Sequence, residues 1–399
     1  MKTLAILSGG GDTPAINSSI ENVRRRALLL GFKVYGIRKG WKGLLGEGDV
    51  VDLTNVPYNG AYGGTALRSS RTNPFPTKKN PEDRVPQVMK NLERYGIDTL
   101  VTIGGDDTNG AAKRIYEREG IPVIGFPKTI DNDLRTHTMH SYNGEEIEAV
   151  LCPGFPSGAL CVSNMTRHLR STNESHERIM VLEVMGRDAG WLTGSATFGG
   201  AEMALVPEVE MTAERKERFF EEVKKRYAEK KNLIIAVSEG VRWWNDETKE
   251  LGMVYASSET DEYGHKRFGG VSGVVASEIS KRLGIEARAQ ISGYYPRAGA
   301  CSDYDRRFTS ALADKAMDLI LRGEYGKMPV LEHIVAPNGL EEYNMSSIDM
   351  GSIGNQPLQA AYYDEQTFTF TPAYTDFLSH VLGAPYWPDF GCTFAKVRP

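Results

Sequence analysis

Leu4-Ala5-Ile6-Leu7-Ser8-Gly9-Gly10-Gly11-Asp12-Thr13-Pro14 decides the fold, because an unbroken apolar run passes directly into a glycine-rich turn. A run this short reads as a strand covered on both faces, and the amphipathic spacing from Asn17 to Leu30 reads as the helix that follows it. Lys33–Ile37 then restores the strand pattern. Strand, tight turn, helix and strand make the βαβ unit of a parallel sheet. The same grammar continues outward: Thr99–Ile103 strand, Thr108–Glu119 helix, Pro122–Phe126 strand. It restarts with Ile179–Val184 as a strand, Ala213–Glu229 as a charged helix and Leu233–Val237 as a buried strand. A helical pattern after Gly270 runs to about Leu283, and Ala287–Ile291 reads as one more strand. The fold class predicted is α/β: two Rossmann-like, doubly wound domains with the active site in the cleft between them. No periodicity places the aromatic-rich segment from about Met328 to Pro399.

The chain has 399 residues, enough for two or three domains with full cores, and its 42 glycines cluster after apolar runs, as tight loops at strand ends require. A net charge of −5 excludes a generally basic surface, so neither nucleic acid nor an anionic membrane is expected as a partner. Anionic ligands must be held by local Arg and Lys. Cys152, Cys161, Cys301 and Cys392 show no metal-ligand spacing with the seven histidines and read as buried reduced thiols of a cytoplasmic protein. The Leu4–Leu7 run is too short for a signal peptide, and no window approaches a membrane span.

Four loops fall at strand ends. The turn Ser8–Pro14 can cradle phosphate oxygens with backbone amides at a helix N-terminus, although a plain βα turn accounts for it equally. It is neither a dinucleotide fingerprint, because Pro14 stands at the third glycine position, nor a Walker loop. Gly104-Gly105-Asp106-Asp107-Thr108 offers a carboxylate for Mg²⁺, and Asp107 adds a second negative charge that has a use only if it excludes something. Pro127-Lys128-Thr129-Ile130-Asp131-Asn132-Asp133 supplies a base, a second carboxylate to tune it, and a cation for developing phosphoryl charge. Met185-Gly186-Arg187-Asp188 places an Arg between small neighbours, suited to phosphate or a sugar hydroxyl. Glu239 and the group Arg288, Tyr294 and Arg297 are later candidates, for which exposed salt bridges are the simpler account.

These motifs, in this order, resemble the phosphofructokinase family from residue 3 to about residue 325. Within it, the Gly-Gly-Asp-Asp turn and the lysine of Pro-Lys-Thr-Ile-Asp-Asn-Asp look like the pyrophosphate-dependent branch, since ATP-using members carry glycine where Asp107 and Lys128 stand. The resemblance implies transfer of a phosphoryl group from pyrophosphate to the 1-hydroxyl of fructose 6-phosphate, reversibly, with Mg²⁺. It also implies a homodimer or homotetramer. It makes Asp131 the base, flanked by Thr129, Ile130 and Asp133, with Lys128 and Asp107 acting on the donor. Gly11 and Arg71 would meet the donor phosphates and Asp106 the metal. Met185, Gly186, Arg187 and Glu239 would hold the sugar. Arg178, Arg288, Tyr294 and Arg297 would bind its 6-phosphate, Arg178 and Arg288 from a neighbouring subunit. By the same resemblance, residues 1–150 with about 296–345 form the donor domain, and 151–295 with about 346–399 the sugar-phosphate domain. Many members have His where Tyr294 stands, and allosteric bacterial members an effector-binding Arg where Glu21 stands. The alternatives are an ATP-dependent 6-phosphofructokinase, a kinase of the NAD or lipid type, and a non-catalytic regulatory subunit.

Overall fold

The computed structural model describes residues 2–78, 80–260, 266–334 and 344–383. The opening stretch folds as read: β1 (Thr3–Ser8) is buried along its whole length, α1 (Ile16–Leu29) packs over it, and β2 (Lys33–Ile37) lies parallel beside it. After β3 (Val50–Asp52) and α2 (Val85–Arg94) come β4 (Thr99–Gly104), α3 (Asp106–Glu119) and β5 (Val123–Pro127). A hairpin, β6 (Thr138–Tyr142) and β7 (Glu145–Ala149), leads to α4 (Phe155–Ser175) and β8 (Ile179–Val184). Then follow α5 (Trp191–Phe198), β9 (Met203–Leu205), α6 (Ala213–Lys230) and β10 (Leu233–Ser238). Strands β11 (Arg242–Asn245) and β12 (Glu250–Met253) form one hairpin, β13 (Tyr255–Thr260) and β14 (Lys266–Phe268) another. The chain closes with α7 (Val271–Leu283), β15 (Ala287–Ile291), α8 (Asp303–Arg322), β16 (Lys327–Leu331), β17 (Met345–Asp349) and α9 (Pro372–Leu382).

The larger sheet has seven strands in the order β17-β16-β5-β4-β1-β2-β3, parallel in its middle and antiparallel at both edges. The chain leaves β1 toward β2 on one side and returns as β4 on the other. The switch point therefore lies between β1 and β4, where the loops after both strands open outward. The smaller sheet, β15-β8-β10-β9, is wholly parallel. Each central strand is an unbroken run of buried side chains, which is why apolar runs without alternation marked them in the sequence.

Two helices that periodicity left unread hold the sheets in register. Helix α8 has Ser302 as N-cap, accepting from Asp305 N, and the left-handed Gly323 as its stop. Its buried Asp305 accepts bonds from Gly154 N (3.0 Å), Ser157 N (2.9 Å) and Ser157 Oγ (2.5 Å), so one helix caps the start of α4. Burial raises the Asp305 carboxyl to about 6, and those three donors pull the other way. The unplaced tail is also built in. Strand β17 extends the larger sheet, and α9 packs Tyr374 and Phe377 against Trp191 and Tyr362, with ring centroids 5.4–6.3 Å apart. Such aromatic pairs contribute about 0.5–1.5 kcal/mol each beyond the area they bury.

Cys152 and Cys301 are buried free thiols as expected, whereas Cys161 on the outer part of α4 is only half-buried. Cys392 and the rest of 384–399 lie outside the described residues, as do 335–343. No helix among the described residues is long and apolar enough to cross a membrane.

Candidate active site

A cleft of about 610 Å³ opens beyond the carboxyl ends of β1, β4 and β5, with the loop after β8 facing it. Gly11, Arg71, Asp106, Asp107, Lys128, Thr129, Ile130, Asp131, Asp133, Arg187 and Arg297 all line it. Six stretches far apart in sequence therefore meet at one polar cavity, of the size that takes two small phosphorylated ligands.

The first wall is the turn after β1. Gly9 N bonds Ile103 O across to β4 (3.0 Å), and Gly10, at φ 80°, has its carbonyl held by Ser69 Oγ (2.5 Å). A Cβ on Gly11 would sit 2.6 Å from Arg297 Nη1, so glycine is what lets that guanidinium fold over the turn. Buried Lys128 donates from Nζ to Gly11 O (2.5 Å), tying the loop after β5 to the same turn. Burial lowers the lysine to about 8, helped by Arg297; Asp12, Asp131 and Asp133 oppose the shift.

The second wall is the loop 128–135. Thr129 Oγ1 accepts from Asp131 N and donates to Asp133 Oδ1, both at 3.0 Å, which fixes the two carboxylates relative to each other. Between them Asn132 is fully buried at φ 54° and bonds Val150 O (2.5 Å) and Cys152 N (3.1 Å). Asn tolerates the left-handed conformation, and here it anchors the loop so that its neighbours point into the cleft. Asp131 Oδ1 is shielded from solvent and has no hydrogen-bond partner among the described residues. Burial, and then the Asp133 charge, raise the Asp131 carboxyl to about 7; Arg297 and Lys128 oppose. Asp133 is raised as well, chiefly by burial, so the two titrate as a pair.

Asp106 and Asp107 occupy the first turn of α3, where the helix dipole favours negative charge. Desolvation inside the cleft and the Asp106 charge raise the Asp107 carboxyl, and Arg71 across the cleft draws it back. Lys128 sits not beside Asp107 but among Gly11, Asp12, Asp131 and Asp133. The cation that acts on Asp107 is Arg71.

Other expected residues stand behind or away from the lining. Gly186, at φ 143°, accepts from Gly240 N (3.2 Å) and Ser238 Oγ (2.5 Å), locking the loop after β8 to the end of β10. Glu239 is raised by burial and by Glu183, and feels the charges of Arg297 and Arg187; Met185 precedes Gly186 on the same loop. Arg178, Arg288 and Tyr294 are not in the cleft. Arg178 bonds Thr172 Oγ1 (3.1 Å), Arg288 on β15 pairs with Glu286 (2.8 Å), and Tyr294, just after β15, is 63% exposed. Residues that sequence reasoning missed include Ser70, Thr72, Asn73 and Asp188. It also missed Gly354 and Asn355, which come from the unplaced tail. With its amide turned to donate, Asn355 reaches Asp133 O (3.1 Å) and Oδ2 (3.2 Å). Gln356 N bonds the same carbonyl at 2.6 Å, so the tail closes the cleft beside the acidic pair. No local signal announces such a contact; only the fold brings it about.

A base raised by burial and a lysine lowered by it make a pH window. The kcat/KM profile of the free enzyme is expected to rise as Asp131 ionises near pH 7 and fall as Lys128 loses its proton near pH 8. Asp133→Asn removes a like charge and should move the rising limb to lower pH. A rising limb that does not move would detach Asp133 from the titration.

The phosphofructokinase family model matches residues 3–320. A pyrophosphate–fructose 6-phosphate 1-phosphotransferase of Dictyoglomus thermophilum is 39% identical over 329 residues, 81% of this chain and 87% of that protein. An ATP-dependent 6-phosphofructokinase 3 of Streptomyces coelicolor is 35% identical over 337 residues, 82% of this chain and 90% of its own. The crystal structure of a pyrophosphate-dependent phosphofructokinase from Nitrosospira multiformis superimposes with a TM-score of 0.78 at 23% identity, covering 98% of this chain and 95% of that one. The family's match over most of the chain, with both sheets and the cleft in place, makes this protein a member of the phosphofructokinase family.

Proposed function

We propose that this enzyme transfers a phosphoryl group from pyrophosphate to the 1-hydroxyl of fructose 6-phosphate. One observation carries the reading: a carboxyl poised near neutrality, Asp131, lies in one cleft with a buried lysine bonded to the glycine turn after β1 and with Arg187 and Arg297. Asp131 takes the proton of the 1-hydroxyl, Asp133 tunes it, and Thr129 holds both in place. The hydroxyl oxygen attacks the distal phosphorus, and inorganic phosphate leaves. Lys128, already fixed by Gly11 O, meets the charge that develops on the transferred group without reorganising. Asp107 crowds the place where a nucleotide's α-phosphate would lie.

The donor wall, with Asp106, Asp107 and Asp131, is rich in carboxylate oxygens, and Asp131 Oδ1 lacks a partner among the described residues; this is the chemistry of a hard divalent cation. Mg²⁺, held by Asp106, would neutralise donor phosphate charge. The donor side takes in 1–150 with about 296–345, and the sugar side 151–295 with about 346–399. The protein works in the cytoplasm as a homodimer or homotetramer. Arg178, Arg288 and Tyr294 lie off the cleft of their own chain, on or close in sequence to the edge pair β8–β15, where a second copy would bring them to a neighbouring site.

Mixing variants tests this. Arg288→Ala alone should raise KM for fructose 6-phosphate, as loss of a phosphate contact does. Arg187→Ala should be impaired as well. Combined, the two should regain activity with pyrophosphate, because hybrid sites pair an intact Arg187 with an intact Arg288. No recovery despite proven subunit exchange would mean that each site is built from one chain.

A further inference from the structure

Outside the cleft lining, α9 meets the hairpin β6–β7 through a polar cluster set in aromatic surroundings. His140 on β6 is fully buried, while Asp376 and His380, one turn apart on α9, have side chains 38% and 34% exposed. Both imidazoles turn the same nitrogen toward one oxygen: His140 Nε2 lies 3.0 Å from Asp376 Oδ2, and His380 Nε2 lies 3.4 Å from it. The three donor atoms all fall within 4.8 Å of one another. A tetrahedral zinc with ligands at about 2.0–2.1 Å sets its donor atoms about 3.3 Å apart, so two of the three spacings already match.

The surroundings fit as well. The other nitrogen of His140 lies 3.0 Å from the hydroxyl of buried Tyr362. Metal-bound histidines commonly donate that second N–H to a fixed partner, which sets tautomer and ring orientation. Tyr362 stacks on the ring at 5.9 Å and 26°, and Phe377 meets it edge-on at 5.9 Å, so the imidazole has little freedom to turn away. Two nitrogens and one oxygen suit zinc or a similar transition metal rather than Mg²⁺, which asks for octahedral oxygens. A plain His–Asp hydrogen bond would dock α9 without His380, and it gives no reason for two imidazoles to converge on one carboxylate oxygen.

We propose that His140, Asp376 and His380 form a zinc-type metal site that fastens α9 to β6, with water in the fourth position on the exposed side. Its role is structural, holding the tail whose residues 354–356 close the active cleft.

The test uses the full chain stripped with a chelator and titrated with Zn²⁺ against a chromophoric competitor, and with Co²⁺ as a visible-absorbance probe. Wild type should take up one tight equivalent and gain thermal stability from it. His380→Ala should weaken that equivalent by on the order of 100-fold or more, and Tyr362→Phe by about 10-fold, the usual range for an outer partner. Asp106→Asn should bind as wild type does, which separates this site from the cleft. Retained turnover would show that His380→Ala folds. Should it not fold, the wild-type Co²⁺ spectrum decides, with tetrahedral or five-coordinate bands expected. Only octahedral Co²⁺, no tight equivalent in wild type, or equal affinity in a folded His380→Ala would overturn the proposal.

Discussion

Asp131→Ser is expected to lower kcat by roughly 10²–10⁴-fold, the usual worth of a positioned acid–base group. At about 1.4 kcal/mol per tenfold, that is about 3–5.5 kcal/mol of barrier. The KM for fructose 6-phosphate should hardly move, because the proton is transferred only on the way to the transition state. Asn132 and Thr129 fix the loop through bonds that do not use the Asp131 side chain, so the variant keeps its cleft. Steady-state kinetics with pyrophosphate provide the check, and near wild-type kcat would take Asp131 out of the mechanism.

The second large effect concerns the donor. Asp107 stands in the first turn of α3 and lines the cleft, and in the proposed reading its carboxylate would meet a nucleotide's α-phosphate with both bulk and like charge. Like-charge contacts in a binding site cost several kcal/mol, so Asp107→Gly should raise kcat/KM for ATP by on the order of 10²–10³-fold. The same change takes the Asp107 charge away from Arg71 and should weaken pyrophosphate use. Lys128→Gly should chiefly lower kcat with pyrophosphate, since it removes a contact made to developing charge. Because Lys128 faces Asp131 and Gly11 rather than Asp107, the two substitutions act through different neighbours. The double variant should shift donor preference toward ATP furthest. An unchanged ratio of kcat/KM values in Asp107→Gly would remove that residue from donor selection.

Much of the architecture was legible because buried parallel strands advertise themselves. Lys33–Ile37, Ile179–Val184 and Ala287–Ile291 fall on the expected residues, and the central strands of both sheets agree within a residue or two. Helix α4 escaped because Ser157, Gly158, Ser163, Thr166 and Asn173 share its buried face with Phe155, Ala159 and Val162, which dilutes the apolar contrast that periodicity needs. Helix α8 carried usable signals in Ser302 and Gly323 that strand-first reading passed over. The tail escaped for another reason: β17 is a half-buried edge strand, and α9 is stabilised by aromatic packing that only the folded chain provides.

The site divides along the same line. Loops at strand ends announced Gly11, Asp106, Asp107, Lys128 and Asp131, and the structure brings them together. Asn132 stood in the motif, but its task, bonding Val150 and Cys152 from a left-handed backbone, shows only in three dimensions. Asn355 and Gln356 gave no sign at all, since their work is done on a residue more than two hundred positions earlier.

The most direct measurement is turnover of fructose 6-phosphate by the purified chain with pyrophosphate and with ATP, in parallel and at equal Mg²⁺. Relatives at similar identity carry either donor in their names, so overall similarity does not choose between them. The roles proposed for Asp107 and Lys128 choose pyrophosphate. The expected result is a kcat/KM for pyrophosphate greater than that for ATP by orders of magnitude, with inorganic phosphate and fructose 1,6-bisphosphate formed in equal amounts. Preference for ATP, or no turnover with pyrophosphate, would contradict the account.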